Sequence, residues 1–361
     1  MKVVSVVGAR PQFIKLASVS RELRNHADEI IVHTGQHYDS ELSHTFFDQL
    51  HIPHPDYNLG IGSGTHGYQT GAMLQAIEPI LLSELPDMVL VYGDTNSTLA
   101  GALAAVKLQI PLVHVEAGLR SFNRGMPEEI NRVLTDHCAD LLMCPTNTAL
   151  RNLKKEGIET GAHLVGDVMY DALLYNKHLS RETHILDELS IKPGTYMVAT
   201  VHRASNTDAI ENLQNIMEGL SRVKTPIIFP IHPRTRKVLE REGIPFADNI
   251  HLIAPIGYLE FLRLQSQARL ILTDSGGVQK EAYLLGIPCI TLREETEWIE
   301  TVEDGWNKLV GTNPDLIAET AQTFHPEKNQ KQPFGDGRAS EKIVQIMREF
   351  MGREHFCEHE S

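Results

Sequence analysis

The sequence predicts an α/β protein built from two halves, each a parallel sheet covered by helices on both faces, and three observations support this. Short apolar runs rich in Val and Ile recur between helix-like stretches: VVSVV (3–7), EIIVHT (29–34), MVLVY (88–92), PLVHV (111–115) and DLLMC (140–144). Strands that are apolar throughout, rather than alternating, are buried on both faces, as in parallel sheets joined by helical crossovers. The pattern then restarts with YMVAT (196–200), PIIFP (226–230), IHLIAP (250–255), LILTD (270–274) and PCITL (288–292). Finally, 361 residues exceed the roughly 250–300 at which a single core stops growing. The polar, helix-prone stretch Asp171 to Gly194 separates the two series and reads as the linker.

Hydrophobic content of 42% and charged content of 22% lie near the globular norm. No apolar run reaches the roughly eighteen residues of a membrane span, and the N-terminal run is too short for a signal peptide, so a cytoplasmic location is expected. A net charge of −14 disfavours nucleic acid and anionic membrane as partners, so any phosphate must be held locally. Cys138, Cys144, Cys289 and Cys357 show neither CxxC nor zinc-like His spacing, which predicts no metal site and no disulfide framework.

Ligands of open parallel sheets sit beyond the carboxyl ends of the strands, so the residues after each apolar run matter most. After the first run, GARPQFIKLA (8–17) supplies Arg10 and Lys15 beside Gly8. Its spacing fits neither GxxxxGK[ST] nor GxGxxG, which leaves two cations aimed at a diphosphate as an open reading. After MVLVY, GDTNST places Asp94 at the strand end, where a helix cap explains it as well as chemistry does. After PLVHV comes Glu116, then AGLRSFNRGMPEEINR. A carboxylate closing an apolar strand must be solvated, paired (with Arg120, for example) or shifted toward proton transfer. Pro127 begins a helix whose Glu128 and Glu129 complement its dipole, and Glu128 and Arg132 are spaced for a surface ion pair. Asp94, Glu116 and Glu128 are thus three carboxylates at sheet ends, the raw material of an acid–base pocket.

In the second half, LILTDSGGVQKEAYLLGIP (270–288) reads as a strand, a cap at Asp274 or Ser275, and a helix start that Gly276 and Gly277 leave bare to cradle an anion. Glu281 either reaches a ribose hydroxyl or is an ordinary solvated helix glutamate. His202 and Arg203 in ATVHRASNTD, and His232, Arg234 and Arg236 in PIHPRTR, follow neighbouring strands and favour an anionic ligand.

Together, GARPQFIK, GDTNST, HVEAGLRSFNRGMPEEINR, VHR, IHPRTR, LTDSGGVQKEA and GDGRAS (335–340) resemble the non-hydrolysing UDP-N-acetylglucosamine 2-epimerases over nearly the whole chain. The resemblance implies the glycosyltransferase-B architecture, two Rossmann-like domains facing a cleft. These would span 1–170 and 171–339, with residues 340–361 returning to the first domain through a helix at about Ser340 to Met351. It also implies elimination of UDP to a 2-acetamidoglucal and re-addition with a proton on the opposite face, without a cofactor or metal, in a homodimer acting on a UDP-sugar. By position, Asp94, Glu116 and Glu128 would handle protons and oxocarbenium charge, with His202 near the leaving diphosphate. Arg10, Lys15, Arg132, His232, Arg234, Ser275, Gly276, Gly277, Glu281 and Arg293 would hold nucleotide and sugar.

Three variants depart from the family pattern: GARPQ for GTRPE, VHRASNTD for GHRRENFG and TEWIE (296–300) for TERPE. They resemble the subgroup acting on UDP-2,3-diacetamido-2,3-dideoxy-glucuronate in surface polysaccharide synthesis. QHY (36–38) replaces the QHR through which some bacterial members reach an allosteric site, so that regulation is not carried over. A transferase of the same architecture would share the cradle but needs no carboxylate trio. A non-catalytic nucleotide-sugar module is the bland alternative, and the missing GxGxxG argues against an NAD-dependent epimerase.

Overall fold

The computed structural model describes residues 1–35 and 53–357, with the side chains of Arg10 and of residues 353–357 outside that description. The QHY turn therefore lies outside the described residues. The chain divides into two compact units, Met1–Ala172 with Gln332–Ser361, and Leu173–Lys331.

The first unit is a sheet of seven parallel strands: β1 (Lys2–Val7), β2 (Asp28–His33), β3 (Tyr57–Asn58), β4 (Met88–Tyr92), β5 (Leu112–Val115), β6 (Leu141–Cys144) and β7 (Ala162–Leu164). Their order, β3-β2-β1-β4-β5-β6-β7, reverses direction between β1 and β4, the switch point where open α/β sheets form their crevice. Parallel register pairs Tyr92 with Val115, which sets Gly93 and Glu116 side by side beyond the strand ends. Val4, Val6, Val89 and Val91 pack on Met73, Ile77 and Leu81 of the helix His66–Glu84 and on the alanines of Asn96–Lys107. At roughly 1.5–3 kcal/mol for each fully buried aliphatic side chain, this packing holds the strand ends in place.

The second unit holds β8 (Met197–Thr200), β9 (Ile227–Pro230), β10 (Ile250–Ile253), β11 (Leu270–Thr273), β12 (Cys289–Thr291) and β13 (Asn307–Leu309), ordered β10-β9-β8-β11-β12-β13. Successive residues from Tyr196 into β8 feed opposite cores: Met197 and Ala199 join Phe229, Leu272 and Ile317, whereas Tyr196 and Val198 join Ile228, Ile271 and Leu264. That two-sided burial is why the central strands β8 and β11 are apolar but for a terminal threonine.

The stretch read as a linker is folded. It forms the helix Val168–Leu179, a 3-10 turn at Ser180–Glu182 and a short helix Ile185–Glu188, whose Ile185 and Leu186 are buried in the second core. The chain re-enters the first unit with an Asp167 N–H to Phe334 carbonyl bond of 2.9 Å. Asp171 then accepts the Ala339 and Ser340 N–H groups (3.1 and 2.7 Å) at the start of the terminal helix Ala339–Cys357, which packs on Arg10–Leu23. Cys144 and Cys289 are buried, and burial pushes both thiols up to about 12. Among the described residues, no helix is long and apolar enough to cross a membrane.

Candidate active site

In the first unit, the helix Arg10–Leu23 carries Lys15 to the ends of β4 and β5, where its ammonium pairs with the Glu116 carboxylate. The pair lies over Gly93: a methyl group there would sit 3.1 Å from Lys15 Nζ and 3.3 Å from Glu116 Oε2. Gly93 also has φ +63°, so both its backbone and its missing side chain are needed. Glu116 has φ +73°, a left-handed conformation costing about 1–3 kcal/mol at a non-glycine residue and found where structure over-determines it. Its expected partner Arg120 is engaged elsewhere, at 2.6 Å from Asp136 and 2.7 Å from Glu156.

Asp94 is not the cap of the helix that follows it. Thr95 takes that role with Thr98, while Asp94 Oδ2 accepts from Arg132 Nη2 (2.6 Å) and Nε (3.0 Å). Asn131 Nδ2 holds the Asp94 carbonyl at 2.9 Å. The expected Glu128–Arg132 pair is replaced by Glu129–Arg132 at 2.8 Å. Glu129 is buried and also accepts the Ser121 and Phe122 N–H groups at 2.9 Å. Burial raises its carboxyl, but these backbone bonds and Arg132 outweigh burial and hold it below its ordinary value. Glu128 remains exposed on the first turn of Pro127–Cys138. Lys15, Asp94, Glu116 and Arg132 thus gather at the ends of β4 and β5, with Glu128 at the rim of the same segment.

In the second unit, Asp274 is fully buried and does not cap the helix Gly276–Leu285. It accepts the His202 and Arg203 N–H groups (3.1 and 3.0 Å) and Asn206 Nδ2 (3.1 Å), which fixes the loop after β8. Ser275 occupies the cap position without a side-chain cap bond. The His202 and His232 rings face each other at 6.4 Å, and His232 Nδ1 caps its own helix by accepting the Arg234 N–H at 3.2 Å. Arg234 turns to Asp208. Glu297, from TEWIE, binds Arg203 and Arg293, each at 3.0 Å. Burial pushes its carboxyl up, but the two guanidinium groups outweigh burial and hold it below its ordinary value.

The two glycines at the helix start differ. A methyl at Gly276 would meet Glu297 Oε2 at 3.1 Å, whereas at Gly277 the nearest atom is Ser275 Oγ at 3.9 Å. Gly277→Ala therefore fits the fold, and alanine favours a helix over glycine by about 1 kcal/mol. The expected outcome is an unchanged or higher Tm with UDP affinity at least about tenfold weaker if the bare N–H groups are what UDP uses. Unchanged affinity in titration calorimetry would remove Gly277 from the cradle.

Glu281 is not a solvated helix glutamate. It accepts from Gln265 Nε2 at 2.9 Å and from the Tyr258 hydroxyl at 3.3 Å, and burial raises its carboxyl above the ordinary value. A raised carboxyl penalises the folded state above the folded pKa, and the penalty fades as pH falls through that value toward the unfolded one. Glu281→Gln should therefore raise Tm at about pH 8 and bring no gain at about pH 4. Thermal unfolding at the two pH values checks the sign, and an equal gain at both would contradict the assignment.

Several residues that shape these sites have no binding or catalytic role in the sequence reading, although most lie within its motifs: Glu129, Asn131, Asp136, Asp274, Asn206 and Glu297. Spacing alone does not mark the choice, because Glu128 lies four residues from Arg132 and Glu129 three, so both fall on the helical face of Arg132. The Arg10 side chain lies outside the described residues.

Doubly wound α/β units with charged residues gathered beyond their strand ends are the build of an α/β enzyme. The family model described as UDP-N-acetylglucosamine 2-epimerase matches residues 21–348, and the chain belongs to that family. It is 60% identical over 355 residues to a Methanococcus maripaludis protein named UDP-N-acetylglucosamine 2-epimerase homolog, covering 96% of this chain and 99% of that one. It is 50% identical over 357 residues to the Pseudomonas aeruginosa UDP-2,3-diacetamido-2,3-dideoxy-D-glucuronate 2-epimerase, with the same coverage. Among solved structures, the Methanocaldococcus jannaschii UDP-GlcNAc 2-epimerase in complex with UDP-GlcNAc and UDP superposes with a TM-score of 0.82. That match is at 48% identity and covers 96% of this chain and 99% of that one.

Proposed function

We propose that this protein is a non-hydrolysing UDP-N-acetylglucosamine 2-epimerase, an isomerase interconverting UDP-GlcNAc and UDP-ManNAc. The observation that carries the reading is full-length identity of 48% to the Methanocaldococcus jannaschii enzyme, whose structure holds UDP-GlcNAc and UDP. The hydrogen on the carbon bearing the acetamido group is too weakly acidic for direct removal. The reaction proceeds by anti-elimination of UDP to 2-acetamidoglucal, followed by re-addition with the proton on the other face. Glu116, held as a carboxylate beside the Lys15 ammonium, and Asp94, held by Arg132, share the proton transfers with Glu128. The bare helix start at Ser275–Gly277, with His202 and Arg293 nearby in the sequence of strand ends, takes the leaving diphosphate. Holding both fragments until they recombine turns re-addition into an intramolecular step.

Epimerisation in heavy water, without NAD or acceptor, is expected to place deuterium at the epimerised carbon. A product free of deuterium, or transfer of the sugar to an acceptor, would overturn this function. The 50% identity to the diacetamido-glucuronate enzyme motivates the alternative substrate, and a panel pairing UDP-GlcNAc with that nucleotide sugar decides between them by kcat/KM. A cytoplasmic homodimer belongs to the same reading, and sedimentation at twice the chain mass is the expected result.

A further inference from the structure

His114 lies on β5, wholly buried, with Nδ1 2.7 Å from Asp136 Oδ1 and Nε2 2.7 Å from the Gly93 carbonyl. Both neighbours offer acceptor oxygens to the ring. Asp136 Oδ2 also accepts the Gly118 N–H at 3.1 Å and Arg120 Nη1 at 2.6 Å. One carboxylate therefore gathers residues 114, 118 and 120, on both sides of Glu116. The same turn is tied down elsewhere: the Glu116 and Ala117 N–H groups both donate to the Met143 carbonyl at 3.1 Å, and Asn152 Nδ2 donates to the Gly118 carbonyl at 3.0 Å. On the other side, the Gly93 N–H donates to the Val115 carbonyl at 2.9 Å, so the Gly93 peptide is clamped at both ends by β5. The left-handed φ of Glu116 persists because this frame surrounds it.

We propose that Asp136 is a positioning residue, which acts through His114 and Gly118 to fix the turns that aim Asp94 and Glu116. This rests on reading those two as the proton-handling carboxylates. Asp136 itself is closed to proton exchange with substrate: it is 1% exposed and takes three donors. Burial pushes its carboxyl up, but His114 and Arg120 outweigh burial and keep it ionised below the usual range. Glu156 touches only the far side of Arg120, through two bonds of 2.8 and 2.7 Å, and holds no part of either turn.

Asp136→Asn keeps the volume and removes the charge that His114 and Arg120 face. The expected result is a kcat about 10²-fold lower, since a misplacement on the order of 1 Å costs that much, with UDP affinity and KM within about threefold of wild type. His114→Gln is expected to do the same, and the double variant to fall no further, because the two residues act as one bonded chain. Glu156→Gln disturbs the same buried ion pair and should leave kcat within about threefold. A purely structural role would give equal kcat losses in Asp136→Asn and Glu156→Gln, or additive losses in the double variant, and either result overturns the proposal. Wild-type kcat in Asp136→Asn overturns it too. If Asp136→Asn does not fold, His114→Gln, which leaves the Arg120 pair intact, decides by the same criterion. Absence of solvent-deuterium exchange in the wild-type enzyme would instead defeat the underlying reading of Asp94 and Glu116, so the two failures are distinct.

Discussion

Replacing Glu116 by Gln is expected to lower kcat by about 10²–10⁴-fold while UDP binding survives, the usual effect of removing a general acid or base. Gln keeps the side-chain shape and the backbone conformation but removes the proton acceptor. It also removes one neutralising carboxylate from beside the Lys15 ammonium, so affinity for the UDP diphosphate should hold or rise. The side chains of Lys15 and Glu116 are only 10% and 11% exposed, so the pair is poorly screened by solvent. Some loss of stability will accompany the change, because a largely buried ammonium loses a carboxylate partner. Single-turnover kinetics and calorimetry with UDP separate the two effects. A kcat within tenfold of wild type (about 1.4 kcal/mol) would remove Glu116 from the chemistry.

Asp94→Asn should cost kcat about 10²–10⁴-fold as well, but by a different route. The amide oxygen still accepts from Arg132, and the main-chain bond from Asn131 is untouched, so the turn keeps its form. What is lost is a negative charge beside a 16% exposed guanidinium, which becomes one charge richer toward the ligand. KM should therefore stay level or fall while kcat drops, a split that marks loss of transition-state interaction rather than of binding. A raised KM with kcat unchanged would point to a binding role instead.

Much of the fold was legible because two-sided burial leaves a plain trace: β1, β4, β8 and β11 are buried along nearly their whole length, and only Lys2, Ser5, Thr200 and Thr273 interrupt their apolar residues. Asp94, Glu116 and Lys15 were legible because they stand just beyond such runs or on the helix after one. Partner choice was not legible. Arg120 lies four residues from Glu116 yet answers Asp136 and Glu156, and Arg132 chooses Glu129 over Glu128. Those choices depend on which helical face meets the sheet, which a linear reading without phase misassigns. The stretch after Asp171 is helical, as its sequence suggests, but it is also packed: Ile185 and Leu186 are buried in the second core, with Leu189 and Ile191 against it.

Asp171 anchors the start of the last helix onto a unit whose other residues precede position 173, so the intervening 173–331 forms an insertion within the first unit. During synthesis the inserted unit emerges whole before its host has received its final element. Until then the face of Arg10–Leu23 destined for Ala339–Cys357 stays uncovered, and a nascent chain stalled before that helix would present this face to chaperones.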